Sequence, residues 1–152
     1  MVRLADLPES QREHILKTPC PVFETNPFVP PKPLNKRRIA IVSTAGLQHL
    51  GEKSFSMGAA SYRVIVRGDE RPIVSSHVST NFDRAGMQED LNIAFPLDRL
   101  DELAAQGVIG SVADNHYSFM GATPPDMMEK NVRKLAPLLK ADAVDTVLLV
   151  PV

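Results

Sequence analysis

After Asp145-Thr146, the residues Val147-Leu148-Leu149-Val150-Pro151-Val152 are an uninterrupted apolar run, short and rich in β-branched residues. A run of that kind reads as a strand buried on both faces, which requires a sheet with helices packed on either side. A second run, Arg38–Gly46, has the same character: Ile39, Ala40, Ile41 and Val42 lead into the small residues Ser43, Thr44, Ala45 and Gly46. Two helical stripes lie between these runs. Leu97 to Gln106 carries Leu97, Leu100, Leu103 and Ala104 on one face, with Pro96 before it and Gly107 after it. Thr123-Pro124-Pro125 opens the second, with Met128, Val132, Leu135 and Leu139 as apolar positions and Pro137 set to tighten or kink its last turn. Val108–Val112 reads as a short strand between the helices, and Tyr62–Val66 and Ile73–Thr80 as two more further forward. Helix and strand alternate at βαβ spacing through the second half. The expected fold is therefore a single α/β domain, Rossmann-like or flavodoxin-like, with a mainly parallel sheet and flanking helices.

The front of the chain is different in kind. Leu7–Lys17 fits a short helix, and then Pro19, Pro21, Pro27, Pro30, Pro31 and Pro33 follow at a density that excludes a helix or a central strand. Residues 19–34 are expected to run as an extended Pro-rich arm, either docking on a partner subunit or simply leading into the domain. The domain reading is thus residues 1–36 for helix and arm, and 37–152 for the α/β body.

Charge excludes several functional classes. The formal net charge is -1, and the one dense basic run, Lys36-Arg37-Arg38, reads as a solvated strand entrance, so no nucleic acid is expected as a partner. No stretch approaches the roughly 18 apolar residues of a membrane span, and no signal-type run stands at the front. The single cysteine, Cys20, has no neighbouring base to lower its pKa and reads as structural. One cysteine suits a reducing compartment, so a cytoplasmic location is expected.

Two polar clusters follow predicted strands, where open α/β sheets place their ligands. The first, Ser75 to Asp90, includes His77, Ser79, Asn81, Asp83 and Arg84. His77 suits an acid or base that Asp83 would orient, although the same residues also populate ordinary loops. The second, Asp114 to Gly121, contains His116, Tyr117 and Ser118. His116 and Tyr117 can exchange protons or bind an anion or carbonyl; equally, the loop can fill the sheet edge with His116 merely hydrogen-bonded. Two such loops on one parallel sheet would converge. No metal-binding spacing, GxGxxG or Walker sequence is present, so no metal is expected and a nucleotide has no phosphate cradle. A serine hydrolase built on Ser79 or Ser118 lacks a nucleophile elbow.

These segments also carry a resemblance. Ser61-Tyr62-Arg63-Val64-Ile65, the Ser76-His77 loop, Asp90-Leu91-Asn92-Ile93-Ala94-Phe95-Pro96-Leu97-Asp98-Arg99-Leu100, Gly107–Ser111 and His116-Tyr117-Ser118-Phe119-Met120-Gly121 occur in that order. Over about Arg38–Val152 the sequence resembles the selenoprotein B family of glycine, sarcosine, betaine and D-proline reductases. The resemblance implies an α/β fold and a reductive C–N cleavage of a small amino acid or amine with dithiol electrons. It implies a selenocysteine, or a cysteine in its place, immediately after Val152, and a pyruvoyl group on a partner subunit. It also implies that His77, Asp83, His116 and Tyr117 serve catalysis, and that Ser79, Asn81, Arg84 and Ser118 contact substrate. Val152 is the last residue of the sequence, so the 152-residue form would be inactive if the reading frame is interrupted there. A homo-oligomer is expected from an unpaired terminal strand. The competing reading is a non-catalytic α/β binding or assembly module.

Overall fold

Six residues, Arg38–Ser43, form β1, the strand on which the α/β body is organised. In this computed structural model, which describes residues 3–17, 22, 24–26, 28–79 and 84–152, β1 has partners on both edges. One edge pairs in parallel with β7, Thr146–Val150, from Ile39↔Thr146 to Ser43↔Val150. The other edge is shared: β5, Ser111–Val112, pairs with its first half and β6, Asn115–Ser118, with its second. Both are parallel to β1. An antiparallel strand, β3 (Arg63–Val66), completes the sheet outside β6. With neighbours on both sides, Ile39, Ala40 and Ile41 are almost fully enclosed, which stabilises the fold by about 1.5–3 kcal/mol for each isoleucine.

Helices cover the two faces, after the short helix α2, Ala85–Glu89. α3, Leu97–Ala105, begins after Pro96 and packs Leu97, Leu100, Leu103 and Ala104 against Ile39, Ile41, Phe95 and Val112. α4, Pro125–Ala141, brings Leu135, Met128 and Leu139 against Tyr117, Phe119 and Val42 on the other face. Pro137 lies inside α4, near its C-terminal end, where it removes a single helix hydrogen bond. The mainly parallel α/β sheet with flanking helices is therefore present. Residues 1–30 form a separate unit containing the exposed helix α1, Glu9–Lys17. Several residues of the expected Pro-rich arm, together with Cys20, lie outside the described residues.

The elements depart from expectation in four places. The strand expected over Val108–Val112 keeps only its last two residues, because Gly107 at φ 72° turns the chain and Gly110 presses on the backbone of Lys36 and Arg37. Ile73–Ser75 is a strand, β4, but it does not join the parallel sheet; it pairs antiparallel with β2, Leu47–His49, a strand that the sequence did not announce. The His116 cluster is the strand β6 rather than a loop. Lastly, β7 is an edge strand with Leu149 69% exposed, not one buried on both faces. Among the described residues, no helix is long and apolar enough to cross a membrane.

Candidate functional site

The carboxyl ends of β1, β6 and β7 meet at a point fixed by Thr44, Gly121 and Val152. Thr44 donates its N–H to the Val150 carbonyl (3.1 Å), and its own carbonyl accepts from the Gly121 N–H (2.9 Å). The Thr44 hydroxyl grips the Val152 backbone twice, accepting from its N–H at 2.8 Å and donating to its carbonyl at 3.3 Å. Gly121 is the residue that permits this convergence. A Cβ there would stand 2.7 Å from the Val152 carbonyl oxygen, 2.9 Å from that of Thr44 and 3.1 Å from His77 Nε2.

The antiparallel β2–β4 pair delivers His77 to that point. Gly46, at φ 62°, turns the chain out of β1, and its carbonyl accepts from the Ser76 N–H (2.9 Å). Any Cβ on Gly46 would come within 3.0 Å of the His77 backbone, so both the conformation and the space require glycine here. The His77 imidazole is buried, and its Nδ1 accepts from the Ser79 N–H (3.1 Å), which assigns the proton of the neutral ring to Nε2. Arg84 donates to the carbonyl oxygens of both His77 and Ser79 and so closes the loop. Burial, reinforced by the Arg84 charge, pushes the His77 pKa below its ordinary value, so the ring is neutral at pH 7.

His77, Ser79 and Arg84 are therefore brought together at the strand ends. Asn81 and Asp83 lie outside the described residues.

His116, Tyr117 and Ser118 sit elsewhere, and alternation along β6 sends them to opposite faces. His116 is fully buried, with its ring edge-to-face on Phe95 at 5.5 Å. Its role follows from register. Ile39 pairs with Val112 but Val42 pairs with Tyr117, so β5–β6 spends two extra residues against β1. That bulge leaves the Ile41 N–H without a ladder partner, and His116 Nδ1 accepts it at 2.9 Å. Burial pushes the His116 pKa down to about 4, against smaller opposing effects of Asp101 and Asp142.

Tyr117 faces α4 and stacks edge-to-face on Tyr62 at 5.6 Å. Burial raises its pKa, with Asp142 adding to the effect. It lines a depression of about 430 Å3 with Val64, Asn115, Leu138, Ala141 and Asp142, at the amino rather than the carboxyl ends of the strands. The Ser118 hydroxyl accepts from the Leu47 N–H at 2.8 Å and anchors β2.

The rare Asp90–Leu100 string proves to be scaffolding. Asp90 accepts from the Asn92 N–H, the Asn92 side-chain oxygen accepts from the Asp98 N–H at the start of α3, and the Ala94 carbonyl accepts from the Ser43 hydroxyl. Sequence reasoning missed Thr44 and Gly121 as site residues. The available signal was small residues at a strand's carboxyl end. Among the described residues, no group of three or more His, Cys, Asp or Glu side chains is placed to hold a metal ion.

The chain from residue 10 to 152 matches the family model for glycine/sarcosine/betaine reductase selenoprotein B. It is 33% identical over 137 residues to the D-proline reductase subunit gamma of Acetoanaerobium sticklandii, covering 87% of this chain and 54% of that protein. The glycine reductase complex component B subunit gamma of Symbiobacterium thermophilum is 30% identical over 138 residues, 86% of this chain and 32% of the relative. The sarcosine reductase complex component B subunit beta of Peptoclostridium acidaminophilum is 30% identical over 112 residues, 68% and 25% of the two chains. No solved structure gives a significant match. The match thus spans about half or less of these relatives' length. With the family model covering nearly the whole sequence, the chain belongs to the glycine/sarcosine/betaine reductase selenoprotein B family.

Proposed function

We propose that this chain is the front part of a selenol- or thiol-dependent reductase subunit that cleaves a C–N bond of a small amino acid or amine, taking its electrons from a dithiol. Its redox residue, a selenocysteine or cysteine, is placed directly after Val152. The observation that carries this reading is the convergence of Thr44, Gly121, Val152 and the His77 ring at the carboxyl ends of three strands. The residues present fit such a group: Gly121 carries no side chain where a Cβ would stand 2.7 Å from the Val152 carbonyl oxygen, and among the described residues His77 Nε2 is the nearest side-chain atom to that position outside the chain neighbours. A selenolate or low-pKa thiolate there supplies the nucleophile for C–N cleavage, and a pyruvoyl group on a partner subunit supplies activation of the substrate amine.

The chain's own residues have separable tasks. Thr44 fixes the Val152 backbone from both its N–H and its carbonyl, and so sets the direction in which the next residue leaves β7. His77, neutral with its proton on Nε2, is suited to donate a hydrogen bond to an anion at that position. Arg84 is a positioning residue, because its guanidinium ties the carbonyls of His77 and Ser79. His116, Tyr117 and Ser118 support this site through the sheet and do not line it. Cytoplasmic location and a homo-oligomeric state belong to the same reading.

The test begins with the codon after Val152, which should be UGA or a cysteine codon in a frame that continues. The extended subunit, combined with a pyruvoyl-bearing partner subunit, is then assayed for dithiol-dependent reduction of D-proline, glycine, sarcosine and betaine. One of them should be turned over, and His77→Leu should lower kcat by about 10²–10³-fold. No reduction of any of the four, or full activity in His77→Leu, would refute the assignment and favour a binding module.

A further inference from the structure

β7 is composed as an interior strand and stands at an edge. Thr146–Val150 contains no charged residue, no proline and no bulge, the devices by which natural edge strands avoid pairing. Its pairing is confined to β1 among the described strands. Three of its four apolar side chains are exposed, spread over both faces, while Val150 packs on the core. Leu148 aligns with Ile41 on the α3 face and Leu149 with Val42 on the α4 face, yet they are 37% and 69% exposed. Val147, sharing Leu149's face, is also 37% exposed. By contrast Ile41, one strand inward, is fully enclosed because it has a strand on each side and a helix layer above.

We infer that the free edge of β7 seats a further strand, with a helix on at least one face, from the part of the same reductase subunit that lies beyond the matched residues. Two observations select this occupant. The D-proline reductase relative extends for almost as much length again outside the match, which is ample for βα units. And the exposed surface lies on both faces of β7, not just along its edge. A second copy adding its own β7 would complete the backbone ladder but bring no helix over Leu148 or Leu149, whereas a βα unit supplies both. β7 thereby becomes a central strand, and the crevice beyond Thr44, Gly121 and Val152 gains a second wall. The inference rests on the proposed continuation of the subunit past Val152.

Hydrogen exchange of the β7 amides tests it without reading turnover. The 152-residue chain is compared with the chain extended through its own downstream codons, with cysteine at the position after Val152. In the extended form, the Val147 and Leu149 amides, which alternation turns away from β1, should exchange at least about 100-fold more slowly. Leu149→Lys, and the milder Leu149→Thr, should remove that protection and lower Tm in the extended form while leaving Tm of the 152-residue form unchanged. Equal exchange in both forms overturns the inference, as does the absence of an open frame. Concentration-dependent protection of the 152-residue chain, with a dimer in sedimentation, overturns it in favour of a second copy. A protected β7 in a protein inactive on all four substrates would sink the reductase reading alone; an active enzyme with an unprotected β7 would sink this inference alone.

Discussion

Replacing His116 by glutamine should change how the stability of the domain responds to acid. The imidazole is fully buried and its pKa falls from 6.5 to about 4, chiefly through desolvation. In the unfolded chain the same ring takes up a proton near pH 6.5, so between the two values the unfolded state binds more protons and stability rises with pH. The contribution is fully present above pH 6.5, is lost as pH falls, and is exhausted near pH 4. The 6.5-to-4 difference corresponds to about 3 kcal/mol, of which about 2.5 kcal/mol is gone by pH 4.5. Glutamine offers an amide oxygen to the Ile41 N–H and does not titrate. His116→Gln should therefore be somewhat less stable than wild type at pH 7 and comparable to it, or more stable, at pH 4.5. His116→Leu should show the same flattened pH response, with about 1–3 kcal/mol lost at pH 7 for the unsatisfied Ile41 donor. Urea unfolding of the three proteins at both pH values measures this, and carboxylates and His77 cancel because all three share them. Parallel stability-versus-pH curves for wild type and His116→Gln would refute both the low pKa and the structural role.

Gly121→Ala should cost about 1–3 kcal/mol and lower Tm, since its Cβ meets two backbone carbonyls within 3 Å and neither can move without shifting β1 or β7. Differential scanning calorimetry reads this, and an unchanged Tm would mean the strand ends do not converge as described. Arg38→Met removes the guanidinium that bridges Asp142, Asp114 and the Val112 carbonyl. Asp142 is 10% exposed; burial alone would raise its carboxyl pKa, and the Arg38 hydrogen bond with the amides of Asn115 and Asp114 outweighs it. The loss should be about 2–3 kcal/mol at pH 7, below the cost for a wholly buried pair because the Arg38 side chain remains 23% exposed. Chemical denaturation at pH 7 decides it, with a loss under about 0.5 kcal/mol counting against the bridge.

What the sequence disclosed was what composition and periodicity encode. β1, α3, α4 and β7 each carry an apolar pattern suited to one packing environment, and each forms where its pattern lies. β2 and β6 were missed for the same reason. Leu47-Gln48-His49 and Asn115-His116-Tyr117-Ser118 are rich in polar side chains, and what holds them extended is tertiary: pairing with β4, and enclosure between β1 and β3. Polar residues in a strand resemble a loop until their partners are known. The two-residue bulge between β5 and β6 was equally hidden, because register is a relation between segments distant in sequence.

The two histidines show why the candidate site was half legible. Each follows a strand-forming segment, and sequence position alone makes them equivalent. Their difference lies in what the backbone near each one lacks. At His116 the missing element is a hydrogen-bond acceptor for the Ile41 N–H, so the ring is turned inward and consumed by the fold. At His77 the missing element is a pair of side chains, at Gly46 and Gly121, so the ring can stand beside three strand ends with its Nε2 directed at Gly121. Gly121 is itself exposed, while the His77 ring beside it is buried. The two glycines thus fix where the His77 ring stands by what they lack. A histidine-directed reading of the sequence finds the imidazoles, but the small residues and unpaired backbone groups around them decide where each one stands.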